Sequence, residues 1–478
     1  MSERRMGSVD TIWLNMDRPN NLMVIVSLMF LEKAPSWERV VSVIQDRLVD
    51  RYPVFRQRPV TRRWGLGQPR WADDPDFVLD RHFRRVTLAP PGDEATLRRH
   101  LDSRLHLPLS REHPLWEAEL IEGFGDGAVL MCRFHHALAD GIALTDVLLS
   151  MTDASPDEAA SPSERYTSAK SPQGTPDARH AIELHGTPVD LLDLARTAVG
   201  TSIALARKGV STVLGAPRLL RPRLAADALT RAAKTGQVVE SLIASQTPDS
   251  PLGGTPWPRK HAAWSQAFPL AALKQVGRMA DATLNDVLMS AVAGAMFRYQ
   301  ADHGADPVDL VTMVPVNVRP PGEPLPRELG NRFALVFFTF PSSFGAPIAR
   351  LAETKRRMDW LKGSPEAMLT FSLISAIGRA PSRIERPVVD YFANKAVGVT
   401  TNVMGPKQAR YLAGSEITGI LGWVPGSGKH TVGVCIFTYA DTVRVGFMVD
   451  AESVPDADAL VTAFEQVLGE LIGLVSAA

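Results

Sequence analysis

The sequence predicts an α+β protein of two lobes, each a mixed sheet with helices, joined by a helical crossover. Three observations carry this expectation. The chain has 478 residues, more than one ordinary domain holds. Strand-like runs and helical stripes occur in both halves. Between the halves the composition breaks at about Ser155, where "SPDEAASPSERYTSAKSPQGTPD" offers Ser, Pro, Ala and charge but almost no large apolar side chain. The expected division is therefore 1–178 for the first lobe, with 155–178 as a flexible linker, 179–250 for the helical crossover and 251–478 for the second lobe.

Taken in order, "NLMVIVSLMFLE" reads as a buried strand. "SWERVVSVIQDRLVD" follows as a helix, with Ser36 as its N-cap and Val40, Val41, Ile44 and Leu48 at helical spacing. In "GDEATLRRHLDSRLHLPL" Asp93 or Gly92 caps a second helix striped by Leu97, Leu101 and Leu105. "LWEAELIEGF" and "GAVLMCRFHHAL" form a strand pair around the turn "GDG", and "GIALTDVLLSMT" resumes helical spacing. Residues 188–245 are apolar helices bearing Arg196, Arg207, Lys208, Arg218, Arg221, Arg223, Arg231 and Lys234. Such a stretch packs on the lobes as a crossover or lies on an anionic lipid surface. The second lobe opens near Trp257 with a strand and a short helix, then a long helix from about Thr283. Five strand-like stretches and the final helix "DADALVTAFEQVLGELIGLV" complete it.

Composition narrows the function. Net charge is zero, which argues against a whole-surface nucleic-acid binder. The two cysteines, Cys132 and Cys435, exclude a disulfide framework and a zinc ribbon and fit a reducing compartment. The N-terminus lacks a secretory apolar core, and "LMVIVSLMFL" is about half the length that spans a bilayer. The expectation is a cytoplasmic protein, with any membrane contact peripheral, at the inner membrane face or lipid inclusions. Nothing in the sequence specifies an oligomeric state.

The chemistry concentrates in "FHHALADG", residues 134–141. The strand leading into it alternates faces, with Cys132, Phe134 and His136 on one side and Met131, Arg133 and His135 on the other. Adjacent histidines on opposite faces are poorly placed to share one metal ion, and no second ligand group has metal spacing. Two readings remain for the pair: hydrogen-bonded support at a strand end, or chemistry. Imidazole titrates near neutrality, so His136 is the candidate general base, with His135 as support. Asp140 and Gly141 shape the turn, and Asp140 pairs with an arginine, Arg319 or Arg133. There is no nucleophilic elbow and no activated thiol. Direct transfer fits better: a bound alcohol, deprotonated by His136, attacks an acyl thioester without a covalent enzyme intermediate.

"HHALADG" resembles the HHxxxDG signature of chloramphenicol acetyltransferase-like acyltransferases. "HPLWE" (113–117), "LNDVLMSAVAGAM" (284–296), "VPVNVRP" (314–320), "LGNRF" (329–333) and "TNVMGP" (401–406) follow in an order similar to the bacterial wax ester synthase/acyl-CoA:diacylglycerol acyltransferase (WS/DGAT) family. Asn317 and Met404 stand where that family more often has serine and proline. The resemblance implies two chloramphenicol-acetyltransferase-like lobes with an active-site tunnel between them. It implies acyl-CoA as co-substrate, diacylglycerol or a long-chain alcohol as acceptor, and no further cofactor or metal. It assigns His136 as base and Asp140 as an orienting residue. His135, Gly141, Pro114, Leu115, Trp116, Asp286 and Asn331 line or support the tunnel. Asn285 is expected either as an oxyanion donor or as the N-cap of the long helix. Two other functions compete: a related HHxxxDG enzyme acting on another alcohol or an amine, and an inactive protein that binds lipid surfaces through 188–245.

Overall fold

Runs of apolar residues at strand spacing build two mixed sheets, and the site lies where they meet. The computed structural model describes residues 3–61, 68–157, 247–319, 325–364 and 382–476, with Thr370, Ile374 and Ile377 between the last two. The first sheet runs in the order Tyr411–Leu412, Ser415–Trp423, Val24–Leu31, Gly127–His135, Trp116–Phe124, Phe83–Thr87. Only its last pair is parallel. Every residue of Val24–Leu31 is buried, as a near-continuous apolar strand covered on both faces requires. Helices Trp37–Ile44 and Glu94–Leu105 share its core. Their caps are those expected: the Ser36 hydroxyl accepts from Arg39 N, and the Asp93 carboxylate from Thr96 N.

The second sheet runs Phe333–Phe340, Leu310–Asn317, Gly398–Met404, Val432–Tyr439, Thr442–Asp450, Lys260–Trp264, and Phe268–Pro269 also pairs with Thr442–Asp450. Leu284–Asp302 and Ala457–Ser476 pack together against it in a second core. Gly398 permits one of its parallel joins, because a Cβ there would stand 1.5 Å from Val432 O.

The first sheet takes strands from the second half of the chain. Ser415–Trp423 leaves the second half and pairs antiparallel with Val24–Leu31, from Ile417 opposite Leu31 to Trp423 opposite Val26. Ile417, Ile420, Leu421 and Trp423 are buried in the first core. Their apolar character says that the strand is buried, but nothing local says in which sheet. The sequence reading also missed the two-turn helix Ser8–Met16, the strand Phe83–Thr87, the helices Pro347–Lys362 and Ser382–Ala393, and a small sheet of Glu3–Arg5, Arg70–Asp73 and Gln57–Val60. The expected linker and crossover helices, and the basic stretch 188–245, lie outside the described residues apart from 155–157 and 247–250. Among the described residues no helix is long and apolar enough to cross a membrane.

Candidate active site

The Gly127–His135 strand ends at the first histidine, and Asp140 caps the helix Gly141–Ser150, accepting from Ala143 N at 3.0 Å. The intervening turn is held by His136 N donating to Met23 O (2.7 Å) and Leu138 N to His135 O (2.9 Å). The signature is thus a strand end, a turn and a helix start, which brings the second histidine and the aspartate close in space.

The two rings divide as alternation predicts. His135 is buried behind the strand; its Nδ1 accepts from Ala137 N at 3.0 Å, and its Nε2 stands 3.7 Å from Asp17 Oδ2. Its backbone N–H donates to Leu115 O. His135 is support. His136 lines a cavity instead. Its Nδ1 is 2.9 Å from Asn331 Oδ1, and the amide orientation is fixed by Asn331's other bonds. Asn331 Nδ2 faces two acceptors, His136 O and Asp10 Oδ1, each at 2.8 Å. Only the amide oxygen is left for the ring, so Nδ1 carries the proton and Nε2 the lone pair. No described residue hydrogen-bonds Nε2. The Trp13 indole stacks on the ring with centroids 4.2 Å apart, and Phe333 lies at 5.8 Å. Burial pushes the imidazole down to about 4, against the opposing pull of the Asp140 charge. The ring is therefore neutral at pH 7.

Asp140 does not touch His136. Arg319 grips both its oxygens, Nη1 to Oδ1 at 2.9 Å and Nη2 to Oδ2 at 2.5 Å, and Arg332 N donates to Oδ2 at 2.9 Å. Arg319 is the partner, and it follows the second lobe's Leu310–Asn317 strand. Arg133 pairs with Glu117 and donates to Leu107 O. Asp140 thereby ties the first lobe's helix to the second lobe.

The cavity holds about 170 Å³ and draws its walls from both lobes. Ile25 and Met29 of the first sheet, Leu144 and Leu148 of the helix, Met313, Leu335 and Phe337 of the second sheet, and Ile420 and Trp423 of the exchanged strand all face it. Nearly every contributing surface is apolar. Gly141 lines it as well. Neither thiol is activated: burial pushes Cys132 up to about 12 and Cys435 up to about 11. No cluster of three candidate metal ligands occurs among the described residues.

The remaining expected residues sit further out. Pro114, Leu115 and Trp116 are buried in the first lobe and do not line the cavity. Trp116 donates from Nε1 to Phe55 O (2.9 Å) and stacks on His82. These residues support the strand beneath His135. Asn285 is not the N-cap of the long helix. It does not line the cavity, and its Oδ1 accepts from Asn402 Nδ2 at 2.7 Å. Thr283 caps the long helix in a capping box with the buried Asp286, so Asp286 is part of the helix start. The sequence reading missed Trp13 and Asp10. Both lie on a short helix with no motif to mark it.

Two lobes, a shared apolar cavity and a neutral histidine whose Nε2 no described residue bonds define an acyltransferase site of the two-lobed chloramphenicol acetyltransferase-like class. The wax ester synthase/diacylglycerol acyltransferase catalytic-domain model matches residues 6–288, and the WS/DGAT C-terminal domain model matches 329–472. The chain belongs to the WS/DGAT family and is an acyltransferase. A putative diacylglycerol O-acyltransferase of Mycobacterium tuberculosis is 28% identical over 496 residues, covering 99% of this chain and 98% of the relative. A probable diacylglycerol O-acyltransferase of the same organism is 28% identical over 96% of this chain and 93% of its own. The structure of the wax ester synthase/diacylglycerol acyltransferase from Marinobacter aquaeolei superposes with a TM-score of 0.67 at 21% identity, over 99% of both chains. The first condensation domain of the calcium-dependent antibiotic synthetase shares the fold, with a TM-score of 0.58 at 15% identity over 99% of this chain and 97% of the other.

Proposed function

We propose that this acyltransferase moves a fatty acyl group from acyl-CoA to the hydroxyl of diacylglycerol or a long-chain alcohol, with His136 as general base. The observation that carries this reading is the protonated Nδ1 held by Asn331, which leaves the Nε2 lone pair for the acceptor. Nε2 takes the hydroxyl proton as the acceptor oxygen bonds to the thioester carbonyl carbon. Collapse of the tetrahedral intermediate breaks the C–S bond, and the departing CoA sulfur receives the proton back from Nε2–H. The products are ester and CoA thiol, and the ring returns to neutral. An apolar cavity around the base suits methylene chains and keeps water from competing as acceptor.

The test is CoA release from palmitoyl-CoA with hexadecanol, a diacylglycerol or a short alcohol as acceptor. Turnover with either lipid acceptor is the expected result. Turnover confined to the short alcohol, or to an amine offered in its place, would overturn the lipid assignment in favour of a related enzyme of this signature. We further propose a cytoplasmic protein that touches anionic lipid surfaces peripherally through 188–245. Anionic vesicles should then sediment it at low salt and release it at high salt, and absence of sedimentation at low salt would contradict the contact.

A further inference from the structure

A base that takes a proton in a buried site needs a negative charge within reach, and the signature aspartate is committed elsewhere. Both Asp140 oxygens are held by Arg319, so its charge acts on the ring only through space and bonds neither ring nitrogen. On the other side of the ring a second buried carboxylate follows in line. His136 Nδ1–H donates to Asn331 Oδ1, and Asn331 Nδ2 donates to Asp10 Oδ1 at 2.8 Å. Asn331 N donates to the same oxygen at 2.9 Å, and Gly7 N to Asp10 Oδ2 at 3.2 Å. All three side chains of the chain are buried.

We infer that Asp10 is the electrostatic partner of His136, acting through the Asn331 amide, and so is a positioning residue for acyl transfer. Three N–H groups donate to Asp10 and the Arg4 charge lies near it, a setting for a carboxylate although burial pushes its pKa upward. A carboxylate bound at Nδ2 polarises the amide, so Oδ1 becomes a stronger acceptor as the ring becomes imidazolium. The proton taken from the acceptor stays on Nε2 until the CoA sulfur receives it, and Asn331 and Asp10 exchange none. The other charged groups about the ring are His135, backed by Asp17, and the Asp140–Arg319 pair. None of them bonds Nδ1. The arrangement has a structural logic as well: Asp10 comes from the N-terminal helix, Asn331 from the second lobe and His136 from the first, so the link forms only when the lobes are docked.

The inference rests on His136 being the base, and the test separates the two. In the full-length chain Asp10→Asn keeps a side-chain acceptor for the Asn331 donors, removes the charge and replaces the acceptor of Gly7 N by an amide NH2. The expected result is a kcat for CoA release lower by about 10- to 100-fold, as for other outer partners that orient a reactive histidine, with KM for palmitoyl-CoA unchanged. Asn331→Ala gives an independent check by 15N spectra of labelled histidine. The wild-type ring should be a single tautomer protonated at Nδ1, and the variant should show both tautomers. Combining Asp10→Asn with Asn331→Ala should lower kcat no further than Asn331→Ala alone. An Asp10→Asn enzyme with wild-type kcat, or an Asn331→Ala ring that keeps the single tautomer, would overturn the inference. His136→Ala is run beside them. If it is inactive while Asp10→Asn is fully active, only Asp10 is misassigned; if it is fully active, the base itself is.

Discussion

At His136 two neighbours and burial act on one ring: Asn331 holds Nδ1–H, Trp13 stacks on its face, and burial keeps it neutral down to about pH 4. The rate contributed by this group should stay flat from pH 8 to pH 5 and fall as the ring protonates near 4. A pH profile of CoA release checks this, and a midpoint near 6.5 would mean a solvated ring. The same shift acts on stability. His136 and His430 are both pushed down to about 4 by burial, so the unfolded chain binds protons that the folded chain refuses. Their stability is present above about pH 6.5 and is lost as pH falls through about 4, so Tm should decline over that interval. Trp13→Ala should lower kcat by about 2- to 10-fold, the worth of an aromatic contact, while leaving Nδ1 protonated. Alternation along a strand was enough to give the two histidines different tasks. It could not show Asn331 or Asp10 beside His136, because those contacts span hundreds of residues and involve types that are usually plain turn and cap formers.

Among the elements, the helix Gly141–Ser150 is fastened at its first turn, where Asp140 and Arg319 meet across the lobes. Asp140→Ala leaves a buried guanidinium unpaired and should cost about 3 to 5 kcal/mol, read as lower Tm together with lower activity. A stable protein with a purely catalytic defect would contradict the fastening role. Two glycines make a contrasting pair. Gly398→Ala sets a Cβ against Val432 O across a parallel strand pair and should be strongly destabilising. Gly469→Ala, on the exposed side of the final helix with nothing within 4 Å, should raise stability by about 0.5 to 1 kcal/mol. Thermal melts of the two variants should move in opposite directions. The helices that start at Trp37, Glu94, Leu284 and Ala457 and most core strands were legible, because their apolar spacing and caps are local signals, as at Ser36 and Asp93. The short helix Ser8–Met16 and the small sheet beside it were not, since two turns or three residues carry too little pattern.

For the whole molecule, the exchange of Ser415–Trp423 leaves the first sheet incomplete without the second half of the chain, and leaves that strand without its Val24–Leu31 partner in the second half alone. Fragments 1–250 and 251–478 should therefore be insoluble when expressed singly, and active enzyme should be recovered only from both together. Independent folding of 1–250 would contradict the strand pairing. The sequence shows two halves plainly through the composition break, yet hides the exchange, because a buried strand looks the same in either sheet. The cavity depends on that exchange, since Ile420 and Trp423 form part of its wall beside residues of both sheets. The central claim is that the docked lobes present one histidine as the base for acyl transfer. It is tested most directly by kcat for CoA release from palmitoyl-CoA and a lipid alcohol in His136→Ala, with the melting transition measured on the same sample. The expected result is a loss of about 100- to 10,000-fold with the melting transition retained; activity near wild type in the folded variant would contradict it.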